Sequence, residues 1–374
     1  MMSDSIRVLV IDDSALMRQM ISRILKEAGF DVVGVARDGI EGLEAVRRLN
    51  PDVVTLDVEM PRMDGLSMLR QLMKVHPVPV VMLSSLTQAQ APATVEALSL
   101  GAVDFVPKPG GGISLNIDEV ADQLVHKVRT AAKARVTPLA GARSEPVRPA
   151  RTAARVAKEP GGVAAPGASA SAPPAESKSR PELPRRLVVV GSSTGGPRAL
   201  VELVTRLPGD FSAPMVIVQH MPAGFTASLA ARLDSLSQLA VAEAKEGVVP
   251  QPGEIWVAPG GFHLLFDRQG RMRLDNSQPP HLGVRPAVDL TMESAVEVWR
   301  DGLIGVILTG MGMDGAKGAR RIKQHGGLVV AQDEATSVVY GMPRAVVEMG
   351  LADHVAPIET IAGILAAVVR RAAS

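Results

Sequence analysis

Short apolar runs recur through the first third of the chain, each closed by a polar residue: IRVLVID, FDVVGVA, PDVVTLD, VPVVMLS and AVDFVPK. Between them apolar residues return at helical intervals, as at Leu16, Met17, Met20, Ile21, Ile24 and Leu25, and similar patterns follow Gly39, Gly65 and Ile113. Unbroken apolar runs suit strands buried on both faces, and strands alternating with helices require crossovers. The pattern therefore predicts an α/β fold with a five-stranded parallel sheet covered by helices on both sides. From Arg185 the alternation resumes with RLVVVGS, APMVIVQH, GEIWVAPG, GVILTG and GGLVVAQ, which predict a second, mixed but mainly parallel sheet. The stretch HLLFDRQGRMRLD predicts a β-hairpin turning at Gln269 and Gly270.

Between these halves the apolar signal disappears. Residues 130–184 are dominated by Ala, Pro, Arg, Ser and Gly, as in ASASAPPAESKSRPELP. Such a segment buries too little apolar area to offset its chain entropy, and it is expected to be a flexible linker. The organisation read from the chain is one domain over 1–129, a linker over 130–184 and a second domain over 185–374.

Composition narrows the choice further. The 374 residues suffice for two full cores, and with only 2% aromatics those cores rest on Val, Leu, Ile, Ala and the 17 Met, as helix-on-sheet packing allows. The balance of 40 basic against 39 acidic residues gives no reason to expect a nucleic-acid or membrane-surface partner. The absence of Cys excludes disulfides and thiolate chemistry. No apolar segment approaches the roughly 18 residues of a membrane span. The N-terminus lacks the layout of a secretory signal, so a cytoplasmic protein is expected.

Ligands of parallel α/β sheets sit at the carboxyl ends of the strands. In the first domain that rule gathers Asp12 and Asp13 after the first strand, Asp57 after the third, Ser84 after the fourth and Lys108 after the fifth. Converging carboxylates repel unless a cation joins them, and oxygen ligands suit Mg²⁺. A carboxylate beside such an ion can accept a phosphoryl group, with the lysine and the serine hydroxyl meeting it. The stretches IDDS, LDVEMPRMDG, LSS and DFVPKP resemble the receiver domain of two-component response regulators over the whole domain. The resemblance implies phosphorylation at Asp57 by a histidine kinase, Mg²⁺ held by Asp12, Asp13, Asp57 and the backbone carbonyl of Glu59, phosphoryl contacts from Ser84 and Lys108, and Phe105 as the switching aromatic.

In the second domain the strand-end rule brings together the serine pair of LVVVGSSTGG, His220 of VIVQHMP and Asp314 of VILTGMGMDGAKG. A serine hydroxyl needs an imidazole to take its proton, and the imidazole needs a carboxylate to fix its tautomer. Gly191, Ser193 and Gly195 match G-x-S-x-G, with Ser192 directed away. The chain order Ser, His, Asp differs from that of the α/β-hydrolases. A phosphate-loop reading is disfavoured because neither the G-x-G-x-x-G spacing nor a lysine after the glycines is present. From the residues alone two readings stay open: a catalytic triad, or Ser193 and Thr194 capping a helix that starts at Pro197 while His220 is merely packed. His263 and His281 are rival bases.

The stretches GSSTGGP, QHMPAGFT, IWVAPGGFHL, RPAVDLTMESA, ILTGMGMDGAKG and AQDEATSVVYGMPRAV resemble the catalytic domain of the chemotaxis protein-glutamate methylesterases, the CheB family, in which a receiver also precedes the catalytic domain. The resemblance implies Ser193 as nucleophile, His220 as base, Asp314 as its orienting carboxylate, and Thr194 and Met311 near the oxyanion. It further implies hydrolysis of glutamate γ-methyl esters and deamidation of glutamines on chemoreceptors, with no cofactor for that reaction. The chain departs from the family in its long linker and in Ser192, where many members carry Ala. Other outputs compatible with a receiver are a DNA-binding module or a serine hydrolase acting on a different ester or amide.

Overall fold

The computed structural model describes residues 5–85, 87, 89–108, 117–136 and 183–371. Most of the expected linker, 137–182, lies outside the described residues, as do 113–116 of the last N-terminal helical pattern.

The N-terminal half runs β1 (Arg7–Ile11), α1 (Ala15–Glu27), β2 (Asp31–Ala36), α2 (Gly39–Leu49), β3 (Val53–Asp57), α3 (Gly65–Val75), β4 (Val80–Ser84), α4 (Ala91–Leu100), β5 (Asp104–Pro107) and α5 (Ile117–Ala131). Its strands form one parallel sheet in the order β2-β1-β3-β4-β5. Helices start where a short polar side chain can satisfy their first free N–H groups. Ser14 accepts from Met17 N, Asp38 from Ile40 N and Glu41 N, and Asp64 from Ser67 N. Helix α5 passes the expected boundary at 129 by two residues.

The second half continues with β6 (Leu187–Ser192), α6 (Gly196–Arg206), β7 (Met215–Gln219), α7 (Phe225–Leu236), β8 (Ala240–Glu243), β9 (Glu254–Val257), β10 (His263–Phe266), β11 (Met272–Asp275), α8 (Val288–Trp299), β12 (Leu303–Ile307), α9 (Ala316–Gln324), β13 (Leu328–Gln332), α10 (Met342–Glu348), β14 (His354–Ala356) and α11 (Ile358–Arg371). Seven strands lie in the order β14-β13-β12-β6-β7-β9-β8, and all six neighbouring pairs are parallel. The antiparallel component anticipated in this sheet is confined to the separate β10-β11 hairpin, whose tight turn holds Gly270 at φ +74. The hairpin packs on α8, where Phe266 meets Trp299 edge-on at 5.0 Å. From β6 the chain winds toward β7, and from β12 it winds the opposite way toward β13. The crevice between β6 and β12 is therefore a switch point, where ligands of such sheets bind.

The halves share a continuous apolar core, in which Leu98 and Val95 of α4 join Leu200 and Leu203 of α6 and Leu229 of α7. Phe105 of β5 stacks on Phe225 of α7 with ring centroids 4.8 Å apart. No helix among the described residues is long and apolar enough to cross a membrane.

Candidate functional sites

At the carboxyl edge of the first sheet, Asp12 and Asp57 are buried and Lys108 reaches both, its Nζ 3.0 Å from Asp12 Oδ2 and 2.7 Å from Asp57 Oδ2. Apart from that ammonium group, no donor among the described residues reaches those two oxygens. Carboxylate oxygens of Asp12, Asp13 and Asp57 lie within 4.8 Å of one another. Burial pushes the Asp57 carboxyl up to about 6, with Lys108 opposing and Asp12 adding to the rise. Two buried carboxylates short of donors, beside a third, fit a hard divalent cation. The buried Ser84 hydroxyl lies 2.7 Å from Thr94 Oγ1 of α4. Glu59, two residues after β3, directs its backbone N–H toward Asp57.

The second site lies at the mouth of the crevice. Ser193 follows β6, His220 follows β7 and Asp314 lies between β12 and α9, as strand-end reasoning anticipates. His220 Nε2 and Asp314 Oδ2 are 2.8 Å apart, which leaves Nδ1 as the nitrogen available to a serine proton. Asp314 also accepts from Val288 N at 2.7 Å and Asp289 N at 2.9 Å. Burial works against its charge, but His220 and these two amides hold the Asp314 carboxyl below its ordinary value. Ser193 and His220 line the same cavity of about 360 Å³. The Ser193 hydroxyl makes no hydrogen bond among the described residues.

Helix α6 is not capped by Ser193 or Thr194: its N-cap is Gly195, with no side-chain cap bond. Gly195 holds φ +77, and a Cβ there would lie 2.5 Å from Val338 Cβ. Gly191 lets β6 approach α8, since a Cβ would meet Val288 Cγ1 at 2.5 Å. Thr194 and Met311 line the cavity too, and their backbone N–H groups donate to nothing among the described residues. Such donors beside a serine suit an oxyanion. Ser192 points away, donating to Gln219 Oε1 at 2.7 Å. Of the rival bases, His263 is fully buried with Nε2 3.1 Å from the Pro279 carbonyl. His281 pairs with Asp289 at 3.2 Å.

Supporting residues escape sequence reasoning. Gln219 donates to the carbonyls of Ser193 and His220 at 3.0 and 3.1 Å, and the Thr309 carbonyl accepts from Ser193 N. Asp289 accepts from Gly315 N and Gly318 N, which fixes the loop carrying Asp314. Burial, together with the neighbouring Asp314 charge, raises the Asp289 carboxyl. Asp289 and Gln219 stand in quoted stretches, RPAVD and VIVQH, and their position at an element end is the available clue.

The N-terminal domain covers this mouth. Asp104 accepts from Thr194 Oγ1 at 2.6 Å and from Lys127 Nζ at 2.9 Å, and Gly195 N donates to the Val103 carbonyl at 3.2 Å. His126 of α5 lies 3.1 Å from the Met311 sulfur.

Residues 188–365 match the family model of the CheB methylesterase, and residues 8–116 match that of the response regulator receiver domain. A Symbiobacterium thermophilum protein named protein-glutamate methylesterase/protein-glutamine glutaminase is 51% identical, over 96% of this chain and 95% of its own. Proteins of the same name from Pyrococcus horikoshii and Thermotoga maritima are 44% and 45% identical, over 96% and 94% of this chain and 93% and 95% of theirs.

Proposed function

The chain belongs to the CheB methylesterase family, and on that premise we propose that it hydrolyses glutamate γ-methyl esters on chemoreceptors and deamidates receptor glutamines through Ser193, His220 and Asp314. The observation that carries the reading is the 2.8 Å His220–Asp314 pair, whose imidazole lines the same cavity as Ser193, a residue whose hydroxyl makes no hydrogen bond among the described residues. His220 Nδ1 takes the Ser193 proton as Oγ attacks the side-chain carbonyl carbon. Asp314 stabilises the imidazolium, and the N–H groups of Thr194 and Met311 hold the oxyanion. Collapse expels methanol, or ammonia from glutamine, with the proton returned by His220. Water activated by the same imidazole then attacks the acyl-serine, releasing a glutamate carboxylate and restoring Ser193.

The N-terminal domain acts as a gate in this reading. Asp57 accepts a phosphoryl group from a histidine kinase. Asp12, Asp13, Asp57 and the Glu59 carbonyl hold Mg²⁺, which when bound offsets the negative charge gathering there. The phosphoryl group competes for Lys108 and for the Ser84 hydroxyl, now paired with Thr94 of α4. Because α4 and Phe105 form part of the contact with the catalytic half, their repacking weakens the cover over Ser193.

The test is methanol release from a methylated receptor fragment. Ser193→Ala should abolish release, and Asp57→Ala should abolish its stimulation by a phosphodonor. Full release by Ser193→Ala would overturn the triad, and undiminished stimulation of Asp57→Ala would overturn the gate.

A further inference from the structure

We propose that Arg285 determines specificity by binding a carboxylate next to the scissile group, so that the preferred substrate is a glutamate ester with an ionised acidic neighbour. The inference rests on the hydrolase reading above and adds what that site selects.

Arg285 lines the cavity that holds Ser193, Thr194 and His220. Its Nη1 donates to two backbone carbonyls, Asn276 O at 2.9 Å and Gln278 O at 2.8 Å, which fixes the plane of the guanidinium. On the other edge Nε is shielded from solvent, and so from a ligand, whereas Nη2 is not shielded and donates to nothing among the described residues. Nη2 is thus a charged donor, held in a fixed plane, to which a carboxylate oxygen can make a charge-assisted hydrogen bond.

Charge points to the same class of ligand. On the catalytic side of the cavity, Arg285 is the permanently ionised side chain among the described lining residues. The N-terminal domain places a carboxylate, Asp104, in this cavity, and brings its own counter-ion, Lys127. When that domain withdraws, Asp104 and Lys127 leave together and Arg285 remains as the fixed cation of an open mouth. An incoming acidic residue then meets an unpaired positive group, whereas a neutral amide supplies one acceptor and no charge.

The experiment is a coupling measurement in the full chain. Methanol release is followed with a methylated receptor fragment that has Glu beside the methylated position, and with the same fragment carrying Gln there, with and without acetyl phosphate. Wild type should show a KM about tenfold lower for the Glu fragment, the size expected of one charge-assisted pair. In Arg285→Gln the ratio should fall to near one, and in Arg285→Lys it should be intermediate. Each ratio is taken within a single enzyme, so a variant that folds in lower yield still reports. A ratio near one in wild type, or an unchanged ratio in both variants, would overturn the assignment. Ser193→Ala is run alongside. If it abolishes release while the Arg285 ratios do not move, only the assignment of Arg285 fails; if it retains release, the hydrolase reading fails first.

Discussion

The Thr194 hydroxyl donates a 2.6 Å hydrogen bond to the Asp104 carboxylate, tying the residue after Ser193 to the first residue of β5. Lys127 holds the other Asp104 oxygen and also lies 5.0 Å from the centre of the Phe105 ring. Acid, lysine and aromatic ring therefore form one fixed wedge, set against the loop that carries the candidate nucleophile.

Neutralising the wedge should loosen it. Asp104→Asn removes the charge that Lys127 faces and weakens the bond to Thr194. A loss of about 1 to 1.5 kcal/mol in the closed arrangement raises the open population roughly fivefold to tenfold. Methanol release by the unphosphorylated full chain should rise by that factor. Unchanged or lower release from a folded variant would remove Asp104 from the brake.

The Asp314 carboxylate should matter for its charge as well as its shape. Asp314→Asn keeps the volume but no longer balances a protonated His220, and the amides of Val288 and Asp289 lose an anionic acceptor. Turnover should fall by roughly 10³ to 10⁴, with a smaller change in KM. Because the wild-type carboxyl is held below its ordinary value, its contribution is present near neutrality and is lost only as pH falls through that depressed value. Turnover of the variant within tenfold of wild type would separate Asp314 from the reaction.

Asp57 shows the opposite linkage. Its carboxyl is raised from 3.8 to about 6, so the stability tied to its protonated form is fully present below the unfolded value and is lost as pH climbs through the folded one. In magnesium-free buffer at pH 8 the buried charge costs about 3 kcal/mol. Asp57→Asn should therefore resist urea better than wild type at pH 8, with the gap closing by pH 4. Added Mg²⁺ should narrow the gap by stabilising wild type. Equal stability at both pH values would contradict the buried-charge account.

Gly195 is where the backbone leaves no latitude. Ala at φ +77 costs about 1 to 2 kcal/mol before its methyl group meets Val338. Gly195→Ala should lower the melting temperature and reduce methanol release beyond the loss of folded protein, because the Ser193 loop must move. Melting and turnover matching wild type would show that the loop relaxes freely.

Much of this arrangement was legible in the residue pattern because strand-end polar residues mark a sheet's ligand edge. Asp57, Lys108, His220 and Asp314 each follow a buried run, and the structure brings each to the expected rim. Helix α4 carried no such clue. Its sequence APATVEALSL is apolar on several sides because it packs on its own domain and also against α6 and α7, which erases the one-faced period. The short strands β8 and β14 expose part of their length and offer only brief apolar stretches. The Asp104–Thr194 contact joins positions 90 apart, and within AVDFVPK the acid reads only as the start of a strand.

The apolar core common to α4, α6 and α7 has a thermal consequence. Leu98 of one half and Leu203 and Leu229 of the other are buried in one cluster, so melting either half would wet apolar surface of its neighbour. In the shut conformation calorimetry should register a single cooperative heat absorption, and release of the cover should divide it in two. The enzyme's responsiveness would then be visible as a change in the number of melting units, with no substrate present.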